Sequence, residues 1–178
     1  MKNVKTIGIL GKGLMGTVYL VESNGHYYAV KKVPKEFTKN EERKESYDKE
    51  LKMLNELKHK NIIKLLKVND DANNHYLTLE YCNGNSLLHC LQRYIKKYKK
   101  PFSEEIVQYL MKQIVDGLQY IHQHGIIHRD MKLANILVKF LTKEDIEKKN
   151  MLKAELKICD FGISIKAEEA FTAIGTLK

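Results

Sequence analysis

No apolar run in the 178 residues is long enough to cross a membrane. The opening, MKNVKTIGILGKG, carries an apolar stretch too short for a secretory signal peptide. Cysteine is scarce: Cys82, Cys90 and Cys159 are odd in number and form no C-x-x-C pair. This argues against a disulfide framework and for free thiols in a reducing, cytoplasmic compartment. Internal repeats and low-complexity tracts are also missing. What remains is 43% hydrophobic and 30% charged residues, the balance of a globular protein with mass enough for one domain or two small lobes. The formal net charge of +9 is mostly lysine. It would suit an anionic partner such as nucleic acid, membrane or nucleotide, and equally a set of solvated lysine-rich faces, so charge alone selects no function.

The pattern of the chain changes midway. TVYLVESNGHYYAVKKV reads as two strands around Asn24-Gly25, a turn in which both central residues must tolerate positive φ. A Lys- and Glu-rich helix is predicted over 41–58, and NIIKLLKV and HYLTLEY then read as strands joined by the turn-like NDDANN. After CNGN the spacing becomes helical, in SLLHCLQRYIKKY and again from Ser103 to His124. The second helix has Ser103 as its N-cap, acids in its first turn and Gly125 at its end. Short strands follow in IIHRDMKLANILV and LKICDFG; the charged KFLTKEDIEKKNMLKAE between them reads as a solvated loop with room for one helical turn.

Three motifs carry chemistry. GKGLMGTV, Gly11 to Val18, fits G-x-G-x-x-G-x-V. A dinucleotide-binding turn would open a helix at its third glycine, whereas Gly16 opens the strand-like TVYLV. The context suits a hairpin whose backbone bends over phosphates, and a plain glycine-rich turn stays open. On the helix 41–58, Tyr47, Leu51, Met53, Leu54 and Leu57 share one arc, and Glu50 falls inside it. A carboxylate on an inward face costs several kcal/mol unless paired, and Lys31 in the adjacent strand is an available cation; the bland alternative is that Glu50 reaches the rim. HRDMKLAN gathers an Asp able to take a hydroxyl proton, a Lys able to steady a transferring phosphate and an Asn able to ligate a hard cation. In DFG, Asp160 is a candidate second oxygen ligand for magnesium.

In this order and context the motifs resemble the eukaryotic protein kinase family of the serine/threonine type, over nearly the whole chain. The resemblance implies an α+β, two-lobed fold: an N-lobe over 1–81 with an antiparallel sheet and one helix, a hinge at 82–85, and over 86–178 a partial, mainly helical C-lobe ending in the activation loop. It implies ATP and Mg²⁺ as cofactors. Leu10, Gly11, Gly13, Gly16 and Val18 would roof over ATP; Lys31 would hold its phosphates and pair with Glu50. Leu79 would be the gatekeeper, Glu80 and Cys82 would offer backbone groups to adenine, and Val18, Ala29 and Leu137 would sandwich the ring. Asp130 would be the catalytic base, Lys132 the phosphate-steadying lysine, and Asn135 and Asp160 the metal ligands. His128, Phe161 and Leu54 are similar to members of the family's hydrophobic spine. Met131 and Leu133 depart from the commoner Leu and Pro, and the insertion between Asn135 and Asp160 is longer than usual. KELKMLNELKHKNI, LEYCNGNSL and HGIIHRD are similar to autophagy-initiating kinases, with calcium/calmodulin-type and polo-like kinases sharing much of the pattern.

The expected reaction is transfer of the ATP γ-phosphate to a protein Ser or Thr hydroxyl, with Thr172 as the site of an upstream activating kinase and Gly175-Thr176 before the substrate platform. No nucleic-acid partner and no membrane span are expected. The family continues past the activation loop, so FTAIGTLK reads as a cut within it. The alternative to an active kinase is an inactive ATP-binding or scaffolding fragment. A cut there would leave the apolar half-circumference of the Ser103–His124 helix uncovered, and the isolated chain is expected to be poorly soluble.

Overall fold

A computed structural model describes residues 4–166 of the chain. The described residues form two compact units: one runs to Glu56 and resumes over Ile63–Tyr81, the other comprises Leu57–Ile62 and the chain from Cys82 onward.

The first unit is a five-stranded antiparallel sheet in the order β1-β2-β3-β5-β4. Its strands are β1 (Val4–Lys12), β2 (Thr17–Ser23), β3 (His26–Pro34), β4 (Leu65–Asp70) and β5 (Asn74–Glu80). Asn24 and Gly25 have φ of 53° and 76°, the doubly left-handed hairpin turn their sequence predicts. The register decides which side chains share a face. Val18 lies opposite Lys31 and Lys31 opposite Leu77; Leu20 lies opposite Ala29 and Ala29 opposite Leu79. Val18, Ala29, Lys31 and Leu79 therefore project from one face. Helix α1 (Glu41–Glu56) buries Tyr47, Glu50, Met53 and Leu54, the arc read from the periodicity, with Leu51 only partly covered. The strand expected from Asn61 begins only at Leu65, because Leu57–Ile62 packs into the other unit, where Ile62 bridges Ile158.

The second unit is built on α2 (Leu87–Tyr98) and α3 (Glu104–Gln123). Ser86 and Ser103 cap them, each side-chain oxygen accepting a bond from a backbone N–H three residues on. Two-stranded pairs β6 (Ile126–Ile127) with β9 (Ile165–Lys166) and β7 (Ile136–Phe140) with β8 (Ala154–Ile158) complete it. Its core joins Leu87, Leu110, Ile114, Val138, Phe140 and Leu156. Gly84 is required by close approach: a Cβ there would lie 2.7 Å from the Val138 carbonyl oxygen. Val107, Met111 and Val115 leave one stripe of α3 exposed.

The charged insertion is not simply a solvated loop. Helix α4 (Lys143–Lys148) is capped by Thr142, and Phe140, Met151 and Ala154 at the two ends are buried in the core. The Asn83 side chain brackets Phe140, accepting from its N–H at 2.8 Å and donating to its carbonyl at 2.9 Å. The charge of the middle of the segment masks its apolar ends. The three cysteines are free thiols.

Candidate functional site

Each unit carries its own group of functional side chains. In the first, the glycine motif is the β1–β2 turn. Gly13 N–H donates to the Gly16 carbonyl at 2.9 Å, closing a tight loop over Leu14 and Met15. A Cβ on Gly16 would lie 2.0 Å from the Lys32 carbonyl oxygen, so only glycine lets β2 leave the loop against β3. At Gly11 and Gly13 a Cβ would meet open space. Those two glycines are not demanded by packing, and their bare backbone leaves room for a close-lying ligand. Lys31 Nζ lies 2.6 Å from both Glu50 oxygens, with side-chain exposures of 15% and 5%. The ion pair inferred from periodicity and burial cost is therefore formed. Met15, which the sequence reading did not single out, brings its Sδ to 3.8 Å from the same Nζ. Glu80 N–H is donated to the Lys64 carbonyl at 3.0 Å, so the backbone group Glu80 could offer a base is its carbonyl. Leu10 is exposed in β1.

In the second unit the HRDMKLAN loop follows β6. Lys132 Nζ donates to Asp130 Oδ2 at 2.7 Å, and Asn135 Nδ2 donates to the same oxygen at 2.8 Å and to the Asp130 carbonyl at 2.9 Å. The Lys132 bond, then the Asn135 bond, holds the Asp130 carboxyl below the usual carboxylate range. The same bond, with the charges of Asp130 and Asp160, pushes the Lys132 ammonium up. His128 is buried between two backbone groups. Its Nε2–H donates to the Cys159 carbonyl at 3.0 Å, and Nδ1 accepts from the Asp130 N–H at 3.3 Å. That fixes one neutral tautomer, and burial lowers the ring's pKa accordingly. The Phe161 ring lies 5.0 Å from it. His128 thus ties the Asp130 loop to the DFG stretch.

Asn135 and Asp160 are joined through Cys159, whose N–H donates to the Asn135 carbonyl at 3.0 Å. Asp160 itself takes the left-handed conformation, φ 67°, as does Arg129, φ 64°. With its amide hydrogens given to Asp130, Asn135 presents only Oδ1 as a ligand. Neither that oxygen nor the Asp160 carboxylate has a hydrogen-bond partner among the described residues. Two hard oxygens suit Mg²⁺, which binds through one or two protein oxygens and completes its shell with water and phosphate. No group of three or more His, Cys, Asp or Glu among the described residues could form an all-protein metal cage. Leu137 is half-buried in β7, and Cys82 is buried. Thr172, Gly175 and Thr176 lie outside the described residues.

Among the described residues no helix is long and apolar enough to cross a membrane. Serine/threonine-protein kinase PLK4 of Xenopus laevis is 33% identical over 98% of this chain, and the match spans 18% of that protein. Serine/threonine-protein kinase PLK2 of Mus musculus is 34% identical over 90% of the chain and 21% of its own length. Calcium-dependent protein kinase 4 of Plasmodium falciparum is 36% identical over 92% of the chain and 29% of its own length. The chain thus spans roughly a fifth to under a third of the relatives it matches. The protein kinase domain family matches residues 4–177, with the antiparallel sheet and single helix of that fold in place, and the chain belongs to that family.

Proposed function

We propose that the chain carries the phosphoryl-transfer machinery of a serine/threonine protein kinase, moving the ATP γ-phosphate to a Ser or Thr hydroxyl of a protein substrate. Its first unit would be the family's N-lobe and its second the C-lobe side, the hinge lying at 82–85. The observation that carries the reading is the Asp130 carboxylate, oriented by Lys132 and Asn135 and tied through Asn135 and Cys159 to Asp160.

Asp130, kept ionised, would accept a hydrogen bond from the substrate hydroxyl and aim its oxygen at the γ-phosphorus. As the new O–P bond forms and the bond to the leaving ADP oxygen breaks, the hydroxyl becomes acidic and its proton passes to Asp130. A carboxylate with a depressed pKa is a weak base, which suits a late proton transfer. Lys132 would steady the transferring group and Lys31, aimed by Glu50, the other phosphates. Asn135 Oδ1 and the Asp160 carboxylate would hold Mg²⁺, which supplies charge neutralisation at the phosphates when bound. Val18, Ala29, Leu79 and Leu137 would contact the adenine ring.

The test is γ-phosphate transfer by the complete protein. Asp160→Ala and Lys31→Met should each cut turnover by about 10²–10³-fold, the usual loss for one preorganised charge contact. Near-parental turnover in either would show the assignment to be wrong.

A further inference from the structure

Helix α1 brings little apolar surface to its sheet. Its buried face is Tyr47, Glu50, Met53 and Leu54, and two of these four are gripped by polar side chains of the strands. Glu50 is held by Lys31, and Tyr47 by His75, their rings stacked at 4.8 Å between centroids and 27° between planes. His75 is the second residue of β5, opposite Val33 of β3 and Asp70 of β4. Both of its ring nitrogens are engaged. Nδ1 lies 2.9 Å from Asp70 Oδ1, which can only accept, so the nitrogen donates. Nε2 lies 3.3 Å from the Thr38 hydroxyl, whose one hydrogen is shared between this nitrogen and the Lys35 carbonyl 3.0 Å away. Thr38 belongs to the 3-10 turn Phe37–Lys39, which feeds α1 through Asn40, whose Oδ1 accepts from the Arg43 N–H at 3.1 Å.

One imidazole thus touches the β4–β5 hairpin, the turn that starts α1, and α1 itself. Its contact on α1 lies three residues before Glu50, on the same face, about 4.5 Å along the axis. Burial and then the charges of Asp70, Asp48 and Glu50 push the Tyr47 phenol up to about 12, so the stacked partner stays a neutral ring. A helix with so few apolar anchors is located by its polar ones. When either polar grip is released, the remaining contacts of Met53, Leu54 and the partly covered Leu51 leave rotation and sliding poorly opposed.

We infer that His75 is a positioning residue for phosphoryl transfer: its clasp on Tyr47, Asp70 and Thr38 sets α1 where Glu50 meets Lys31. The link to catalysis rests on the function proposed above; the clasp itself does not. The experiment reads both in the complete protein. Lys31 reactivity toward an amine-acylating reagent is followed by mass spectrometry, and turnover by γ-phosphate transfer, for His75→Ala alone and combined with Glu50→Gln.

His75→Ala should label Lys31 several-fold faster and lower kcat by about tenfold, with peptide KM little changed. Both effects should vanish in the Glu50→Gln background, because His75 acts through Glu50. His75→Phe keeps a stacked ring and should recover part of the loss. Thr38→Val and Asp70→Asn, milder changes, should each show the same effects in smaller measure should His75→Ala fail to fold. Unchanged Lys31 labelling overturns the clasp, whatever the melting temperature does. Effects that persist undiminished in the Glu50→Gln background also overturn it. Faster labelling in a protein that transfers no phosphate in any form supports the clasp and overturns the kinase reading.

Discussion

Lys31→Met should destabilise the protein far more than an ordinary lysine substitution. Methionine matches the aliphatic stem closely, so packing changes little. What is lost is the cation facing a carboxylate that is almost wholly buried, its side chain 5% exposed. Both Glu50 oxygens lie 2.6 Å from Nζ, so no part of that carboxylate's pairing with Lys31 survives the change. Removing one member of a buried pair costs about 3–5 kcal/mol, a large share of the roughly 5–15 kcal/mol that holds a domain together. The second substitution is diagnostic. Lys31→Met with Glu50→Met removes the stranded charge and fills similar volume, and should recover most or all of the loss. A stranded carboxylate also escapes its penalty by taking up a proton, so the cost of Lys31→Met should shrink as the pH is lowered. Urea unfolding followed by far-UV circular dichroism measures all three. A single-mutant cost below about 1 kcal/mol, or a double mutant no more stable than Lys31→Met, would refute the reasoning from burial.

The acceptor should be Ser or Thr, since Lys132 stands two residues after Asp130 and bonds it at 2.7 Å; a peptide array dominated by tyrosine phosphorylation would contradict this. Thr172→Ala should lower the activity of the complete protein, because a phosphate of about −1.5 to −2 charge could pair with Arg129, which is exposed and without an ion-pair partner among the described residues. Equal activity of mutant and parent in fully active preparations would remove the switch from that position. Stability should fall as the pH drops below about 6.5. His128 and His59 both have lowered pKa values, chiefly through burial, so the fold favours the neutral rings: their contribution is complete above the unfolded value and is lost as pH falls through the folded ones. Asp71, held down to about 2 by its Tyr76 bond first, titrates at more acid pH and does not confuse that window. A flat melting temperature between pH 7 and 5 would count against the buried tautomer of His128.

Local signals carried most of the fold. The Asn24-Gly25 turn, the Ser103 cap and the helical spacing of α3 depend on a few neighbouring residues, and each stands where its spacing places it. The Lys31–Glu50 pair was legible for a different reason. A charge in an apolar arc is a debt that some other residue must settle, and the neighbouring strand offered a lysine. The Asp130 loop was legible as chemistry because its residues are close in sequence. How that loop is tied to the DFG stretch was not, since the bond from His128 to Cys159 spans 31 positions.

The insertion and the α1–β4 junction show where such reading fails. Charge and length mark 139–155 as solvent-facing, and its middle is; yet Phe140 and Met151 are buried beneath it, because two aliphatic or aromatic positions at the ends of a charged run make no period. NIIKLLKV is apolar enough for one strand, but its first residues are claimed by the second unit. Asn61 Nδ2 donates to Gln113 Oε1 at 3.1 Å and to the Leu156 carbonyl at 3.0 Å, and its own carbonyl accepts from the Ile158 N–H at 2.8 Å. Lys157 adds a partly buried bond to the Lys60 carbonyl at 2.6 Å. These partners lie 52 to 97 positions away, beyond any local window. The clasp at His75 belongs with them. Thr38, Tyr47, Asp70 and His75 have no motif in common: the pairing of β5 with β4 sets Asp70 beside His75, and the packing of α1 and the turn before it adds Tyr47 and Thr38. Periodicity names a residue that needs a partner when its burial is costly, as for Glu50. It stays silent where, as for His75, the residue would be equally at home in water.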